Sequence, residues 1–496
     1  MDTSFLDEQI QRDAEHLATF GYRQELRRTL SFLSNFAVAF SYLSVSTGIF
    51  ALFALGLGTG GPAFFWSWPL VMLGQFFVAL CFSEQASHFP IAGSIYQWTR
   101  QLSGKGYSWW TGWMYLWANL ITVTSVAFTV PIPLEGLFGW QYNTHNNVLI
   151  AICVIVLTTI INVAGIKLLS IINNIGVLAE ILGMAVLALI LVAIAHHQPL
   201  SVLTNTGGTG SGAHGYLGAF ATAMFMSLFV VYGFDTAGTL AEETRDPTRE
   251  VPRAILSALG VSFVIGAIFL VSVLLAIKNI PAAMGSASPL TDIINAGLPE
   301  FLAKLYLAVV TLAVFVCALS IHAATIRLSF GMARDGQLPG ANILARVNHN
   351  LGTPAIAGVV TGIVAGLPLF ASQQLGTIVT GATGLIYLSY LMCNLSLLRA
   401  RAGGWPRRAA PFSLGKWAWP VNILAVVWGA SMLVNIGWVR GLTNPPLGFG
   451  PSWMSDKPIF ESLIALIVVV GAVYYLATER IRAGATAVLP VPAPAV

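Results

Sequence analysis

Twelve apolar stretches, each long enough to cross a bilayer, restrict the possible fold more than any other feature of the sequence. A transmembrane helix needs about 20 residues to cross about 30 Å of hydrocarbon. The stretches lie at approximately 30–57, 66–84, 107–131, 148–166, 175–195, 215–241, 253–277, 302–326, 354–371, 375–398, 418–438 and 459–478. Only 9% of the residues are charged, whereas soluble domains carry about 25%. The sequence therefore predicts an all-α polytopic membrane protein. Strands of a membrane β-barrel would instead alternate in blocks of about ten residues.

The basic residues indicate which side of the membrane each loop faces. If the N-terminus is inside, the outer segments hold only Lys278, Lys304, Arg440 and Lys457, and the other 20 of the 24 Lys and Arg residues lie inside. Cytoplasmic loops carry an excess of Lys and Arg. We predict twelve spans with both termini cytoplasmic, in the plasma (or inner) membrane. The segment before the first span has no apolar core, so it is expected to be an amphipathic arm rather than a signal peptide.

These boundaries divide the chain into five predicted segments. They are a cytoplasmic N-terminal arm (1–29), a transport core of helices one to ten (30–398), a basic cytoplasmic loop (399–417), helices eleven and twelve (418–478) and a cytoplasmic proline-rich tail (479–496). The outer loop at 278–301 contains a sequence, Ser288-Pro-Leu-Thr-Asp292, that is typical of the start of a short helix.

Two of the predicted spans contain polar or glycine-containing interruptions at membrane depth. Ser44, Ser46, Thr47 and Gly48 lie in the middle of the first span. In the sixth span, Gly233, Asp235 and Gly238 occupy a comparable place within the stretch that begins at Phe229. Irregular backbone is tolerated at this depth only where it lines a cavity or is buried in protein, and such breaks in corresponding helices of two halves indicate a transporter's binding site. The alternative is ordinary close packing of small residues between helices.

Four short motifs give this sequence a resemblance to a known family. They are Thr47-Gly-Ile-Phe50; Pro90-Ile-Ala-Gly-Ser-Ile-Tyr-Gln-Trp98; Gly233-Phe-Asp235 leading to Glu242-Glu-Thr-Arg-Asp-Pro247 and Val251-Pro-Arg253; and Ala333-Arg-Asp-Gly-Gln-Leu-Pro339. Together they resemble the amino acid–polyamine–organocation (APC) permeases. The second motif resembles the amino acid/choline branch, which includes GABA and choline permeases. The resemblance covers helices one to ten in order.

The resemblance implies a LeuT-like fold, with a five-plus-five inverted repeat, broken helices one and six, and peripheral helices eleven and twelve. It also implies alternating access coupled to protons, to sodium or to exchange. Amides near Ser46, Thr47 and Gly48, together with Ser44, would bind a substrate carboxylate. Carbonyls near Phe229, Val230 and Tyr232, followed by Gly233 and Phe234, would receive an amine.

Charged residues close to the membrane interior require a reason, because burying a charge there is costly. Asp235 beside the second break is expected to cap the following half-helix, although it could also steer an amine. Glu242, Glu243 and Arg245, with Arg327, are interpreted as a cytoplasmic gate; a solvated charged surface is the alternative. His322 either shuttles protons or is a core histidine whose hydrogen bonds are satisfied.

Glu180 in the fifth span is the predicted proton carrier. It has apolar neighbours on both sides, and other members of the resembled superfamily often carry a lysine near this point. Burial favours the protonated form of a carboxyl group, so a proton could be loaded and released as access alternates. The rival hypothesis is an ion pair with Arg327, which would hold the carboxylate ionised.

Other classes of protein find little support in the sequence. There is no GxxxxGK[ST] loop, HExxH motif or metal-ligand spacing, and the four cysteines are widely separated. We expect no cofactor, no metal site, no nucleic-acid partner and no enzyme activity. A saturable uptake assay would separate a transporter from an enzyme or a channel.

We predict a secondary transporter for an amino acid or related zwitterionic amine, in contact with membrane lipid. A choline or polyamine permease and an amino acid exchanger are the alternatives. The sequence leaves the substrate, the coupling ion (proton or sodium) and the choice between monomer and homo-oligomer open.

Overall fold

A computed structural model describes residues 3–140, 143–212, 214–348, 351–371, 375–438, 442–444, 446–448 and 450–486. Within these ranges the chain forms helices and no strand. The first half contains α1 (Thr3–Ala18), α2 (Phe32–Leu43), α3 (Val45–Gly60), α4 (Ser67–His88), α5 (Ser94–Ser103), α6 (Lys105–Ala127), α7 (Pro131–Phe138), α8 (Thr144–Ala164), α9 (Ile166–Ile194), α10 (Gly215–Ala223), α11 (Phe225–Val230) and α12 (Thr236–Thr239). The second half contains α13 (Pro247–Leu275), α14 (Ile280–Gly285), α15 (Pro289–Gly297), α16 (Glu300–Arg334), α17 (Ala341–Leu344), α18 (Ala355–Gly366), α19 (Pro368–Ala371), α20 (Leu375–Ala402), α21 (Ala418–Gly437), α22 (Ser452–Ser455) and α23 (Ile459–Thr486).

In the described part of the chain, ten helical stretches have the length and apolar composition needed to cross a membrane. Two shorter apolar stretches, Gly215–Val230 and Ala355–Phe370, fall where the sixth and ninth spans were predicted. The helix at the predicted sixth span is short because it ends at Val230, before the interruption that contains Gly233 and Asp235. The prediction of an all-helical polytopic membrane protein is therefore confirmed.

Helix α9 has one apolar side that is exposed and one side that is buried in the protein. Its exposed side includes Leu178, Leu182 and Leu189, which are 54–71% exposed, a surface that fits hydrocarbon rather than water. Its buried side carries Asn173 and Glu180 and packs against α2, α13 and α16. The one charged residue of this face is therefore turned into the protein.

Glycine residues allow the helices of the bundle to approach closely. A Cβ atom at Gly266 of α13 would overlap the Trp68 ring of α4, and one at Gly384 of α20 would overlap Phe460 of α23. Helix α20 also packs against α6 and α21, while α21 packs against α4 and α23 against α6, so the C-terminal helices are attached to the core at several places.

The segments outside the spans also contain helices. The N-terminal segment forms α1, and the loop at 278–301 contains α14 and α15, which confirms the short helix predicted there. Helix α23 continues to Thr486, past the predicted end of the last span at 478. The proline-rich stretch 489–496 lies outside the described residues.

Candidate functional site

The first break lies at Ser44, where the backbone has φ 28° and ψ 88°. Helix α2 ends there, with the Ser44 N–H donating to the Phe40 carbonyl at 2.8 Å, and α3 begins at Val45. The first amides of a helix have no acceptor inside that helix. The Ser44 side chain does not cap them; its Oγ lies 2.6 Å from Thr47 Oγ1. The start of α3 thus presents N–H groups inside the protein.

Glu180 of α9 supplies an acceptor at this break. Its Oε1 accepts hydrogen bonds from Ser46 N at 3.0 Å, from Ser46 Oγ at 2.7 Å and from Ser44 Oγ at 3.0 Å. A carboxylate is favoured at a helix N-terminus, because the helix dipole is positive there. The Ser46 amide that was expected to face a substrate carboxylate therefore binds a carboxylate of the protein itself.

The second break separates α11 from α12. Gly233 has φ 91°, a conformation that residues with a Cβ rarely adopt. Its N–H donates to the Tyr390 hydroxyl at 2.8 Å, and a Cβ at this position would overlap the ring of Tyr42 on α2. A Cβ at Gly48 of α3 would likewise overlap the Val230 side chain. The two breaks are therefore in direct contact.

Asp235 is fixed by three side-chain hydroxyls from other helices. Its carboxylate accepts from Ser94 Oγ at 2.8 Å, from Tyr115 OH at 2.6 Å and from Tyr390 OH. It makes no side-chain capping bond to α12, so the predicted capping role is wrong. Tyr390 bonds both Gly233 and Asp235, and the aspartate therefore helps to hold the second break in place. Phe234 between them packs on Phe82, with ring centroids 6.0 Å apart.

A small cavity lined by buried residues lies where the breaks meet. Its volume is about 10 Å³, which is room for about one water molecule. It is lined by Tyr42, Leu43, Thr47, Gly48, Thr122, Val126, Phe229, Tyr232, Cys317 and Ile321. An amino acid does not fit this cavity, so binding requires the surrounding helices to move apart.

The cavity divides the predicted site residues into two groups. Thr47, Gly48, Phe229 and Tyr232 line it, and Val230 packs behind Gly48. The remaining predicted residues, Ser44, Ser46, Gly233, Phe234 and Asp235, support the breaks through the contacts described above.

Sequence reasoning did not identify three polar residues that line the cavity. Tyr42 is only two residues from the first break, and its hydroxyl donates to Asn119 at 2.9 Å. Thr122 and Cys317 belong to α6 and α16, where no local motif marks them. Only the packing of these helices against the breaks brings them into the cavity.

The predicted gate residues lie at the end of the bundle that carries α1, which we call the N-terminal face. Glu243 and Arg327 form a fully buried bidentate pair, with Nε–Oε2 and Nη2–Oε1 distances of 3.0 Å. Arg327 Nη1 also donates to Asn162 Oδ1 at 3.4 Å. Arg327 is thus paired with Glu243, and the hypothesis that it pairs with Glu180 is wrong.

Glu242 binds Arg334 rather than the predicted gate residue Arg245. Its carboxylate accepts from Arg334 Nη1 at 2.9 Å and Nη2 at 2.7 Å, and also from the Ala92 N–H at 3.0 Å. Arg245 contributes its backbone N–H, which donates to the Leu30 carbonyl at 3.1 Å. Its side-chain Nε is buried without a hydrogen-bond partner among the described residues.

The N-terminal arm covers this face and bonds to the segment that follows the second break. The N–H groups of Thr29 and Leu30 donate to the Glu243 carbonyl at 3.0 and 2.9 Å. The buried Arg28 donates to the Thr244 carbonyl at 2.8 Å. Tyr22 OH donates to Asp335 Oδ1 at 2.9 Å. Burial and the neighbouring Asp335 raise the pKa of Tyr22 to about 12, so it stays a neutral donor at physiological pH.

His322 is a core histidine with both ring nitrogens engaged. Nδ1 lies 3.0 Å from Thr158 Oγ1, and Nε2 lies 3.2 Å from Thr361 Oγ1. The side chain is fully buried. This geometry matches the structural alternative rather than a proton shuttle.

A polytopic helical protein whose two discontinuous helices meet at a small internal cavity has the architecture of a secondary transporter. Comparison with known proteins gives the family. Residues 30–473 match the model of the amino acid permease family. The chain belongs to this family, within the APC superfamily, and the predicted resemblance is confirmed.

Individual relatives agree with this assignment. The chain is 28% identical over 475 residues to the amino-acid permease BAT1 of Arabidopsis thaliana, covering 88% of this chain and 90% of that protein. It is 28% identical over 455 residues to a homologue of BAT1 from Oryza sativa subsp. japonica, with 84% and 86% covered. It is 23% identical over 444 residues to a GABA-specific permease of Saccharomyces cerevisiae, with 82% and 74% covered. The chain is therefore an amino acid permease of the membrane and not an enzyme.

Proposed function

We propose that the protein moves an amino acid or a related zwitterionic amine by alternating access, with the substrate bound between the two breaks. The observation that carries this proposal is the contact of the breaks across the cavity lined by Thr47, Gly48, Phe229 and Tyr232. Amides at the start of α3 other than that of Ser46, which binds Glu180, suit a carboxylate, and carbonyls freed at the end of α11 suit an ammonium group. We also propose that the twelve spans form two five-helix inverted repeats and a peripheral pair.

The N-terminal face is proposed to be cytoplasmic, in a plasma or inner membrane. The pairs Glu243–Arg327 and Glu242–Arg334, covered by the arm, then form a closed cytoplasmic gate. Together with the small cavity, they support a conformation that is closed toward the cytoplasm. Opening would require the arm and the segment around Glu243 to separate from α16.

Glu180 is proposed to carry the coupling proton. It is 2% exposed and is held by hydroxyl and amide donors rather than by a cation. Protonation would change the hydrogen bonds to Ser44 and Ser46, and hence the geometry of the first break that contributes Thr47 and Gly48 to the cavity. A proton bound here would therefore be linked directly to the substrate site.

The test is a competition panel with the purified protein in proteoliposomes. Ordinary α-amino acids, GABA, polyamines and choline are compared for saturable uptake and counterflow. We expect a zwitterionic amino compound to be carried. Transport of choline or a polyamine in its place would support an organocation permease, and transport that strictly requires a substrate on the opposite side would support an exchanger.

The location of the site is tested with Gly48→Val. The added side chain overlaps Val230, so we expect loss of substrate binding in a protein that still purifies as a monodisperse sample. Gly260→Val is the matched control, because a Cβ at this position of α13 meets no other atom within 4 Å. Unchanged substrate affinity in folded Gly48→Val would contradict the proposed site.

A further inference from the structure

Four exposed basic side chains of the loop 399–417 have no counter-charge. They are Arg399, Arg407, Arg408 and Lys416. Within the described part of the chain, none of the four forms an ion pair. The surrounding sequence offers no carboxylate, since it contains no Asp or Glu between Asp335 and Asp456. By contrast, the exposed Arg253 of α13 lies 3.1 Å from Glu250. The loop therefore presents positive charge that the protein itself does not neutralise.

The exposed cations are not needed to hold the loop in place, because other groups do so. Arg401 is buried and pairs with Glu84 of α4. The Leu414 N–H donates to Glu84 Oε1 at 3.1 Å, and the Phe412 N–H donates to Ser87 Oγ at 3.0 Å. Both the start and the end of the loop are thus attached to α4. The remaining basic side chains are left free for a partner outside the protein.

Ring contacts show that the loop lies on the N-terminal face. Trp405 packs on Phe89, which follows α4, with ring centroids 6.1 Å apart. Phe89 in turn packs on Phe20 of the arm, also at 6.1 Å. The loop therefore lies beside the arm, on the face that is proposed to be cytoplasmic.

Two exposed tryptophans at the end of the loop indicate its depth in the membrane. Trp417 and Trp419, at the start of α21, are 61% and 47% exposed. Tryptophan is enriched at membrane–water interfaces, where the ring lies at the level of the lipid headgroups. Lys416 Nζ lies 5.9 Å from the centroid of the Trp417 ring, and Arg399 lies in the last turn of α20. Both ends of the loop thus carry a cation next to a membrane-spanning helix.

The chemistry of this surface fits the headgroup of an anionic lipid. Clusters of Lys and Arg directly beside a transmembrane helix on the cytoplasmic side are typical of sites for anionic lipids, and each basic residue near the membrane surface adds about fivefold in affinity. A zwitterionic headgroup brings as much positive as negative charge, so it gains less from the four cations. A soluble anion could use the cations, but it would not use the exposed tryptophan rings.

We propose that the loop 399–417 is a binding site for anionic phospholipid, with its four exposed cations at the headgroup phosphates and Trp417 and Trp419 beside the adjoining acyl chains. The site is separate from the cavity between the two breaks. The proposal therefore adds a lipid partner to the proposed function and does not depend on which substrate is carried.

The experiment measures the retention of labelled phosphatidylglycerol by the purified full-length protein in detergent. Unlabelled phosphatidylglycerol, phosphatidylcholine and glycerol phosphate serve as competitors. Phosphatidylglycerol should compete at least about fivefold better than phosphatidylcholine, and this preference should decrease as salt is added, because exposed charges are screened. Glycerol phosphate, which has the anionic group but no acyl chain, should compete poorly.

Single substitutions locate the site. Arg407→Gln and Arg408→Gln should each weaken the binding of phosphatidylglycerol by about fivefold. Both side chains are exposed and form no ion pair among the described residues, so the variants should fold. Arg253→Gln is the matched control, because it removes an exposed arginine of the same face whose charge is already neutralised by Glu250. Its affinity for phosphatidylglycerol should equal that of the wild type.

Several results would overturn the site. These are equal competition by phosphatidylglycerol and phosphatidylcholine, an affinity that neither loop variant changes, and an equal loss in Arg253→Gln. Competition by glycerol phosphate as strong as that by the lipid would show binding of a free anion instead. The lipid preference of the wild-type protein and its salt dependence require no substitution. None of these measurements involves transport, so their failure is distinct from a failure of the proposed function.

Discussion

The carboxylate of Glu180 is held by uncharged donors, two hydroxyls and one amide from the first break. Arg327, which lies on the neighbouring helix α16, is engaged with Glu243 instead. Neutralising Glu180 therefore leaves no buried cation without a partner. A side-chain carbonyl oxygen at this position can still accept from Ser46, so the local geometry tolerates the uncharged state.

We expect Glu180→Gln to fold and to exchange substrate across the membrane, but to lose accumulation driven by a pH gradient. The amide keeps the acceptor for Ser46 and cannot release a proton. The measurement is uptake into proteoliposomes with and without an imposed pH gradient, beside counterflow at equal pH. Full pH-driven accumulation by this variant would refute the coupling role and leave sodium coupling or exchange.

The Glu243–Arg327 pair joins the segment after the second break to helix α16 without any exposure to solvent. Removing one partner of a buried pair leaves an uncompensated charge and costs about 3–5 kcal/mol. We therefore expect Arg327→Leu to lower the thermal unfolding temperature strongly in detergent. Arg253→Leu is the control, because its pair with Glu250 is largely exposed on the arginine side and should be worth at most about 1 kcal/mol. Equal decreases in unfolding temperature for the two variants would show that the buried pair stabilises the fold no more than the exposed pair does.

The arm acts as a separate element that closes the N-terminal face. Below it lies an apolar cluster from the arm, from helices α2, α9 and α16 and from the residue that follows α12, formed by Leu30, Val38, Ile166, Leu169, Leu240, Leu319 and Ala323. Arg28 fixes the arm by donating to the carbonyls of Ala241 and Thr244. Loss of these hydrogen bonds should weaken the attachment of the arm to the N-terminal face without disturbing the two breaks.

We expect Arg28→Ala to increase the rate at which a thiol reagent labels Ala323→Cys in a cysteine-free background. Ala323 is fully buried in the apolar cluster, so labelling reports opening of the N-terminal face. Arg12→Ala provides the comparison, since Arg12 is exposed and, among the described residues, contacts Glu8 one turn earlier in α1. A labelling rate that Arg28→Ala leaves unchanged would mean that the arm does not limit access from this face.

The predicted orientation of the whole molecule rests on the 20 basic residues predicted inside and the four predicted outside. In a cysteine-free background, an impermeant reagent added outside should label Ser201→Cys and spare Ala409→Cys until the membrane is permeabilised. Both positions are exposed in the structure, so a difference in labelling reports the side of the membrane on which each position lies. External labelling at position 409 before permeabilisation would contradict the predicted membrane topology.

Hydropathy and local motifs were sufficient for the coarse description of this protein. The membrane class, most span positions, the two breaks and the family all follow from the chain itself, because hydrophobic length and broken helices are local properties. The burial of Glu180 also follows, since its neighbours along α9 are apolar. None of these conclusions depends on which helix lies next to which.

The partners of the charged residues depended on tertiary structure. Periodicity indicates which face of a helix is buried, but it does not give the rotation and depth at which two distant helices meet. Those two quantities place Glu180 against Ser46 rather than Arg327, place Arg327 against Glu243, and surround Asp235 with hydroxyls from three other elements. They also bring Thr122 and Cys317 to the cavity. The sequence therefore determined where the chain breaks, and helix packing alone decided which side chains surround the breaks.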